Sequence, residues 1–570
     1  MHQYTKTVTA VLLIPFMAAC GNAGRETPTL IVLNADIRTV DPNMPRAQAF
    51  AVTDGKFSAM GTSAEISALA STSTETIYAG GVTIIPGLID GHTHMISGAS
   101  LATGVDLTDI EDKDEWLRII QTKAATLQEG AWILGGRWNH MLGDGVLPTK
   151  EMLDKVAPKN PVLLSDIDGH SRWASSLAIE LAAITADSPV PPGGEILTHQ
   201  NTGEPTGIFL EGAGRLFNGA PGLSEARDPI AGARAAIRMA NRLGLTGAHD
   251  MSGNVNAFLT VLNEGNLTMR IWAGTFAGPS DNLQTHFTDL NAEKDRVRTI
   301  VTDNEHSATM GPLLEVGYVK MMIDGVLSTR TALMHEPYSD VPEASPEPFM
   351  NKGHLNNMVT AAHKAGWPVA IHAIGDQGVS WVLDAFESSS RSPNALKDRI
   401  EHIEVVTPND VKRFNQLGVA ASMQPHHATC CVGDYVIDRI SRERLPNAYV
   451  WRQMLDNGNH LVLGSDWSTS PLNPLIQIGD TLHRETRIDG VIRPWDEGNT
   501  LTFDEALYGY TQAAADMTLW ANEIGSITIG KWADFVILDE YITEDVGRSI
   551  ENRKVTATYL AGEKVYPRDF

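Results

Sequence analysis

The 570-residue chain carries 69 acidic residues against 44 basic ones, a formal net charge of −25. That balance argues against a nucleic-acid partner, which needs basic patches to displace counterions, and fits a well-hydrated, soluble surface. The length suits a large enzyme domain plus a smaller one, and no short-period repeat or low-complexity tract is visible.

At the start, Lys6 precedes the apolar run Val8–Ala19, which is too short to span a bilayer and has the form of a secretory signal. The run ends Met17-Ala18-Ala19-Cys20-Gly21, similar to a bacterial lipobox with Met17 in place of the usual Leu. Residues 1–19 are therefore expected to be a lipoprotein-type signal and 20–28 a tether, with Cys20 acylated. Any membrane contact would run through that lipid alone. The expected location is periplasmic or anchored to the outer membrane. The other two cysteines, Cys430 and Cys431, are adjacent. Adjacent cysteines rarely bridge, so both are expected as thiols.

From 29 to 84 the pattern is short and β-rich: Leu30–Leu33, Ala49–Val52 and Lys56–Met60, with Asp54-Gly55 as a hairpin turn. A similar pattern returns in 516–570, at Asp534–Leu538 and Val555–Leu560. Two such segments can complete one small β-sandwich while residues 85–515 fold between them. The middle alternates strand-like and helical runs, the form of a parallel α/β arrangement. After the strand ending at His94 come Leu245–Met251, Met269–Phe276, Val316–Asp324, Pro368–Ile374, Arg399–Val406, Val419–Gln424 and Leu461–Trp467. Eight strands close a (β/α)₈ TIM barrel. Thr407–Leu417 is the clearest helix, with Thr407 as N-cap, Pro408 at N1 and Gly418 past its end. Residues 101–243 are too many for one connection and read as an insertion after the first barrel strand, able to cover the barrel mouth.

His92 and His94 stand two apart, which on a strand puts both imidazoles on one side, as a divalent metal needs. With 18 histidines in the chain, that pair alone is close to chance. Active sites of such barrels lie at the C-terminal strand ends, and Lys320, His372, His402 and Asp466 occupy such positions. Each has a bland reading. A strand histidine is usually a satisfied core residue, and Asp466 could cap a turn. A lysine among apolar residues is costly unless paired or deprotonated. Four such groups on separate strands beside the first pair make independent accident the poorer account.

These residues, with Pro86–Met95, Asp168-Gly169-His170, Gly203–Gly207, Asp324-Gly325, Gln424–His427, Gly464–Asp466 and Gly525–Asp534, make the chain resemble the amidohydrolase superfamily. The branch is amidohydrolase family 3, the YtcJ-like metal-dependent hydrolases that include N-substituted formamide deformylases. The resemblance runs from about Thr29 to Tyr566. It implies His92, His94 and Asp466 as ligands of one metal and His372 and His402 as ligands of a second. Lys320 would bridge them if its amine is carboxylated; unmodified, it implies one metal. Zn²⁺ best suits this donor set. The implied reaction is hydrolysis of a carbon–nitrogen bond other than a peptide bond by metal-activated hydroxide, with Asp466 and Lys320 as catalytic residues. His170 and His427 are implied as substrate or oxyanion contacts. Trp138 could line the pocket or belong to the insertion core. The expected partner is a small-molecule substrate, and the reading admits a homodimer. Deamination or ester hydrolysis at the same site is the alternative, and a catalytically inactive anchored binding protein a more distant one.

Overall fold

A computed structural model describes residues 27–568 apart from 109, 111, 140–145, 168, 192–193, 279–281, 393–394, 431–434, 489–490 and 544. The expected signal and Cys20 lie outside the described residues, as do Asp168 and Cys431. No helix among the described residues is long and apolar enough to cross a membrane.

Both chain ends build paired sheets. Leu30–Leu33, Ala49–Thr53, Lys56–Gly61 and Glu75–Tyr78 form one of four strands. The hairpin turn has positive φ at Asp54 (49°) and Gly55 (73°), as a two-residue Asp-Gly turn requires. In the second sheet, Thr83–Pro86 pairs antiparallel with Phe535–Leu538, joining the N-terminal part to the C-terminal strands. Phe50, Phe57 and Phe535 stack into the shared core, with Phe50 edge-on to both others. A buried bidentate pair, Arg270 to Asp534 at 2.6 and 2.7 Å, clamps this domain to the barrel.

The central sheet has eight parallel strands in sequential order: β1 (Leu88–Thr93), β2 (Leu245–Asp250), β3 (Arg270–Phe276), β4 (Leu314–Met322), β5 (Val369–Ala373), β6 (Arg399–His402), β7 (Ala420–Met423) and β8 (His460–Leu463). All eight expected runs are strands. Near the C-terminal strand ends the β8–β1 seam closes through Asp466 N–H to the His92 carbonyl and His94 N–H to the Trp467 carbonyl, both 2.7 Å. Asp90 reinforces it, accepting from the Ser465 amide (2.9 Å) and hydroxyl (2.5 Å). Burial pushes the Asp90 carboxyl up to about 7. The helix Pro408–Leu417 forms as its caps dictate: Thr407 accepts from the Asp410 amide, and Gly418 ends it at φ 67°.

Between β1 and β2, six strands from Val105–Asp106 to Pro205–Leu210 make a separate sheet with its own apolar cores around Trp116, Trp138 and Trp173 and around Phe209 and Phe217. The helix Pro229–Arg242, inside the range 101–243, packs differently. Its Ala233, Ala236, Ile237 and Ala240 share one core with Leu88 and Leu245, so it is a barrel helix. Asp228 caps it and Pro229 occupies N1. Met517, Trp520 and Ile524 pack with Ile89, Trp272 and Tyr318 of the barrel strands, so that the sandwich proper resumes only beyond them.

Candidate active site

The C-terminal strand ends and the insertion enclose a cavity of about 430 Å³ lined by His94, Lys320, His372, His402 and Asp466 among others. Asp466 sits at its centre. Its Oδ1 lies 3.3 Å from Nε2 of both His92 and His94, and its Oδ2 lies 3.8 Å from His427 Nε2 and 4.0 Å from His402 Nδ1. His92, His94 and Asp466, and likewise His402, His427 and Asp466, bring one potential ligand atom each within 4.8 Å of one another. Ring centroids of His92 and His372 lie 4.8 and 4.5 Å from that of His402. Four of the six expected ligands, His92, His94, His402 and Asp466, therefore gather together, His372 packs against His402, and Lys320 lines the same cavity.

The partners of these rings decide what they can do. His92 Nδ1 lies 2.6 Å from Glu401 Oε2, and a carboxylate can only accept, so the proton is on Nδ1. In the neutral ring His92 Nε2 then carries the lone pair; it is buried and faces Asp466 Oδ1 3.3 Å away. His402 Nδ1 faces Gln424 Oε1 at 2.8 Å, and His372 Nε2 faces the Gly325 carbonyl at 3.1 Å. Each ring thus spends its N–H on an outer acceptor and keeps a lone pair on the other nitrogen, the arrangement of metal-ligating histidines. The residues present fit a divalent metal.

A third histidine–carboxylate cluster, Asp480, His483 and Glu551, fails the same test. His483 Nδ1 accepts from the Glu485 amide at 3.0 Å, so its proton is on Nε2, pointing at Glu551 Oε1 2.5 Å away. No lone pair is left there for an ion.

Electrostatics reinforce the assignment. Burial drives the His402 pKa well below 6.5 and, with the neighbouring Lys320 charge, brings His372 down to about 3, so both rings stay neutral. Burial opposes ionisation of Asp466, but His92 and His94 hold its carboxyl well below the usual range. Burial likewise opposes Glu401, and Arg399 (2.7 Å) with His92 overrides it. Burial lowers Lys320 to about 8 against the pull of Glu401 and Asp466. For His427, burial works downward, and the Glu404 carboxylate 3.4 Å from Nδ1 reverses it, leaving the pKa raised.

The backbone is strained where the chemistry sits. His402 (φ 76°), Ile403 (51°) and Asp466 (55°) occupy the left-handed region, which costs about 1–3 kcal/mol each and is severe for β-branched Ile403. Asp324 helps to hold this geometry. It accepts from the Leu333, Ile374 and Gly375 amides at 2.9–3.0 Å, fastening the segment after β4 to the end of β5. Burial pushes its carboxyl up to about 7.

His170 lines the cavity from the insertion, its Nδ1 2.8 Å from Glu211 Oε2. Trp138 does not line it. The indole is fully buried beside Trp173 (6.1 Å between rings) and donates to the Leu164 carbonyl. Arg137 and Asn139 take its place on the wall. The register shifts between Gly136 and Trp138, and Arg137 (φ 65°) follows two glycines at φ 120° and 139°, so simple alternation does not apply. Cys430, also on the wall, is disulfide-bonded, which corrects the expectation of a thiol there. Its partner lies outside the described residues.

Glu401, Arg399, Gln424, Glu404 and Arg137 were not singled out from the sequence. Glu401 and Glu404 flank His402 in Arg399-Ile400-Glu401-His402-Ile403-Glu404, and charged residues this dense on a buried strand were the available signal.

Fold and site together define a barrel hydrolase with a histidine–aspartate metal centre. The chain belongs to the amidohydrolase family, whose model matches residues 75–566. It is 32% identical over 564 residues to Protein LONG AFTER FAR-RED 3 of Arabidopsis thaliana, covering 94% of this chain and 91% of that protein. To N-substituted formamide deformylase of Arthrobacter pascens it is 29% identical over 548 residues, with 95% and 98% covered. The crystal structure of an uncharacterized metal-dependent hydrolase from Pyrococcus horikoshii OT3 shares the fold, with a TM-score of 0.68 and 23% identity over 90% of this chain and 99% of that one. Membership makes the protein a metal-dependent hydrolase acting on carbon–nitrogen bonds.

Proposed function

We propose that the protein hydrolyses an amide, formamide or cyclic amide other than a peptide. The observation that carries this reading is the His92 ring, whose Nδ1 is engaged by Glu401 and whose Nε2 lies 3.3 Å from the Asp466 carboxylate that His94 Nε2 meets at the same distance. A relative named N-substituted formamide deformylase at 29% identity supports the substrate class.

His92, His94 and Asp466 would hold one Zn²⁺, and His372 and His402 a second. Lys320 would bridge them as a carbamate. At a pKa of about 8, roughly one Lys320 amine in ten is neutral at pH 7, against about one in three thousand for an ordinary lysine. The neutral amine adds to CO₂ and releases one proton. A bound divalent ion supplies Lewis acidity and a water acidic enough to react near neutral pH.

The protein's own groups do the rest. Asp466, ionised and central, takes the proton of the attacking water and returns it to the departing amine. His427, with its raised pKa and Glu404 behind it, donates to the oxygen that gains charge on the carbonyl carbon. The contacts that keep His402 and Asp466 in strained backbone, Gln424 Oε1 on His402 Nδ1 and the Asp466 amide on the His92 carbonyl, fix both in place.

The test is a panel of amides, formamides, cyclic amides, esters and amino-heterocycles, scored for amine, formate, ammonia and alcohol. Amine release from amides is expected. Alcohol from the esters alone, or ammonia from the amino-heterocycles alone, would replace this reading with the esterase or deaminase alternative.

Export and anchoring through acylated Cys20 are likewise proposed, on the strength of residues 6–21. Fatty-acid labelling that survives Cys20→Ser would refute acylation there.

A further inference from the structure

A second groove, of about 600 Å³, opens by the N-terminal ends of β2 and β3, the opposite end of the barrel from the metal centre. One wall is the latter part of the helix Pro229–Arg242, and another is the segment from Val565 to Arg568. Arg234, Arg238 and Arg242 stand four residues apart, so they form one stripe with about 6 Å of rise between neighbours. With Arg568 they give the groove four arginines, and none of its described lining residues is acidic, in a chain of net charge −25. The floor is firm. Asn241 Nδ2 donates to the Leu245 and Thr268 carbonyls at 3.1 and 3.0 Å, and its Oδ1 accepts from the Thr268 hydroxyl at 2.6 Å.

The arginines are not equivalent. Arg234 is neutralised by Glu264, with Nε 3.0 Å from Oε2. Arg238 and Arg242 are exposed and have no hydrogen-bond or ion-pair partner among the described residues. Exposed arginines are ordinarily just hydrated, and Arg242 also suits the negative end of the helix dipole. Like charges four apart on a helix nevertheless repel, and this groove offers them no carboxylate. An anion from outside the chain would relieve both.

We propose that Arg238 and Arg242 together bind a phosphate group. A planar carboxylate presents both oxygens to one guanidinium fork. The oxygens of a tetrahedral phosphate point in different directions, so two forks one helical turn apart can share it. A soluble phosphate and a phospholipid headgroup offer the same chemistry. The site is separate from the metal centre, and the proposal does not depend on the carbon–nitrogen hydrolase reading.

The test is protection from phenylglyoxal, which modifies exposed arginines, read residue by residue by peptide mass spectrometry on the zinc-loaded protein. The probes are inorganic phosphate and phosphatidylglycerol vesicles, with acetate and phosphatidylcholine vesicles as controls at matched ionic strength. At about ten times its Kd, a phosphate probe is expected to slow modification of Arg238 and Arg242 roughly tenfold. Arg215, exposed in the insertion, should be unaffected. Protection by inorganic phosphate supports a soluble ligand, and protection by phosphatidylglycerol vesicles alone a lipid headgroup. Arg242→Gln lies far from the metal centre and should leave amide turnover unchanged. It is expected to raise the concentration that half-protects Arg238 roughly tenfold, the worth of one charge-assisted hydrogen bond. Protection by neither phosphate probe, equal protection by the controls or of Arg215, or half-protection of Arg238 unchanged in Arg242→Gln would overturn the proposal.

Discussion

Glu401→Gln probes how the first ligand is prepared. The Glu401 carboxylate is fully buried between His92 Nδ1 at 2.6 Å and Arg399 Nε at 2.7 Å. The amide keeps the shape and removes the charge, and it can present an NH₂ to His92 that favours the wrong tautomer. Losing such a partner costs about 10- to 100-fold in metal affinity, roughly 1.4–2.7 kcal/mol. Arg399 is left uncompensated, retaining the Gly91 carbonyl (3.0 Å), His249 Nδ1 (2.8 Å), Met251 Sδ (4.0 Å) and the face of Tyr318. Breaking a buried ion pair costs about 3–5 kcal/mol of stability, so the two effects must be separated. The double variant Glu401→Gln/Arg399→Met deletes the stranded charge and is expected to recover much of the stability while its zinc affinity stays weak. Competition with a chromophoric chelator measures the affinity, and denaturant unfolding the stability. A folded double variant with zinc affinity within twofold of the native protein would refute the claim that Glu401 prepares His92.

Three further outcomes follow from the same geometry. In metal-free protein, Lys320→Met should stabilise by about 3 kcal/mol at pH 7, because the folded pKa near 8 lies below the unfolded 10.5. The advantage should shrink as pH rises from 8 to 10.5, as urea midpoints across that range would reveal. The Asp90 carboxyl has the opposite sign: raised to about 7, it stabilises fully below about pH 4 and loses that contribution as pH rises through 7. Asp90→Asn should therefore flatten the pH dependence of unfolding between pH 4 and 7. Trp138→Ala should cost about 3–5 kcal/mol of stability with KM unchanged, whereas Arg137→Ala should raise KM. Unfolding curves and steady-state kinetics on both variants decide it.

The barrel was legible because most of its strands are short, largely apolar runs, the composition that burial on both faces demands. Lys320, His372, His402 and Asp466 stood out for the same reason, as polar residues where the sheet tolerates few. Their supports did not stand out. Glu401 and Gln424 become second partners only when β6 and β7 lie side by side behind β1, a juxtaposition that sequence spacing of 309 residues between His92 and Glu401 conceals. Trp138 was misplaced as a possible wall residue because two positive-φ glycines and a register shift break the alternation that strand reasoning assumes. The end of the insertion was blurred because the barrel helix Pro229–Arg242 follows it with no change in composition, only in what its alanines pack against.

Metal content is the most direct measure of the central claim. Purified protein, loaded with zinc and dialysed, is expected to hold one or two ions per chain by elemental analysis, and His92→Ala to lose them while remaining folded. Native protein that retains no zinc, or His92→Ala protein that retains the full complement, would contradict the account.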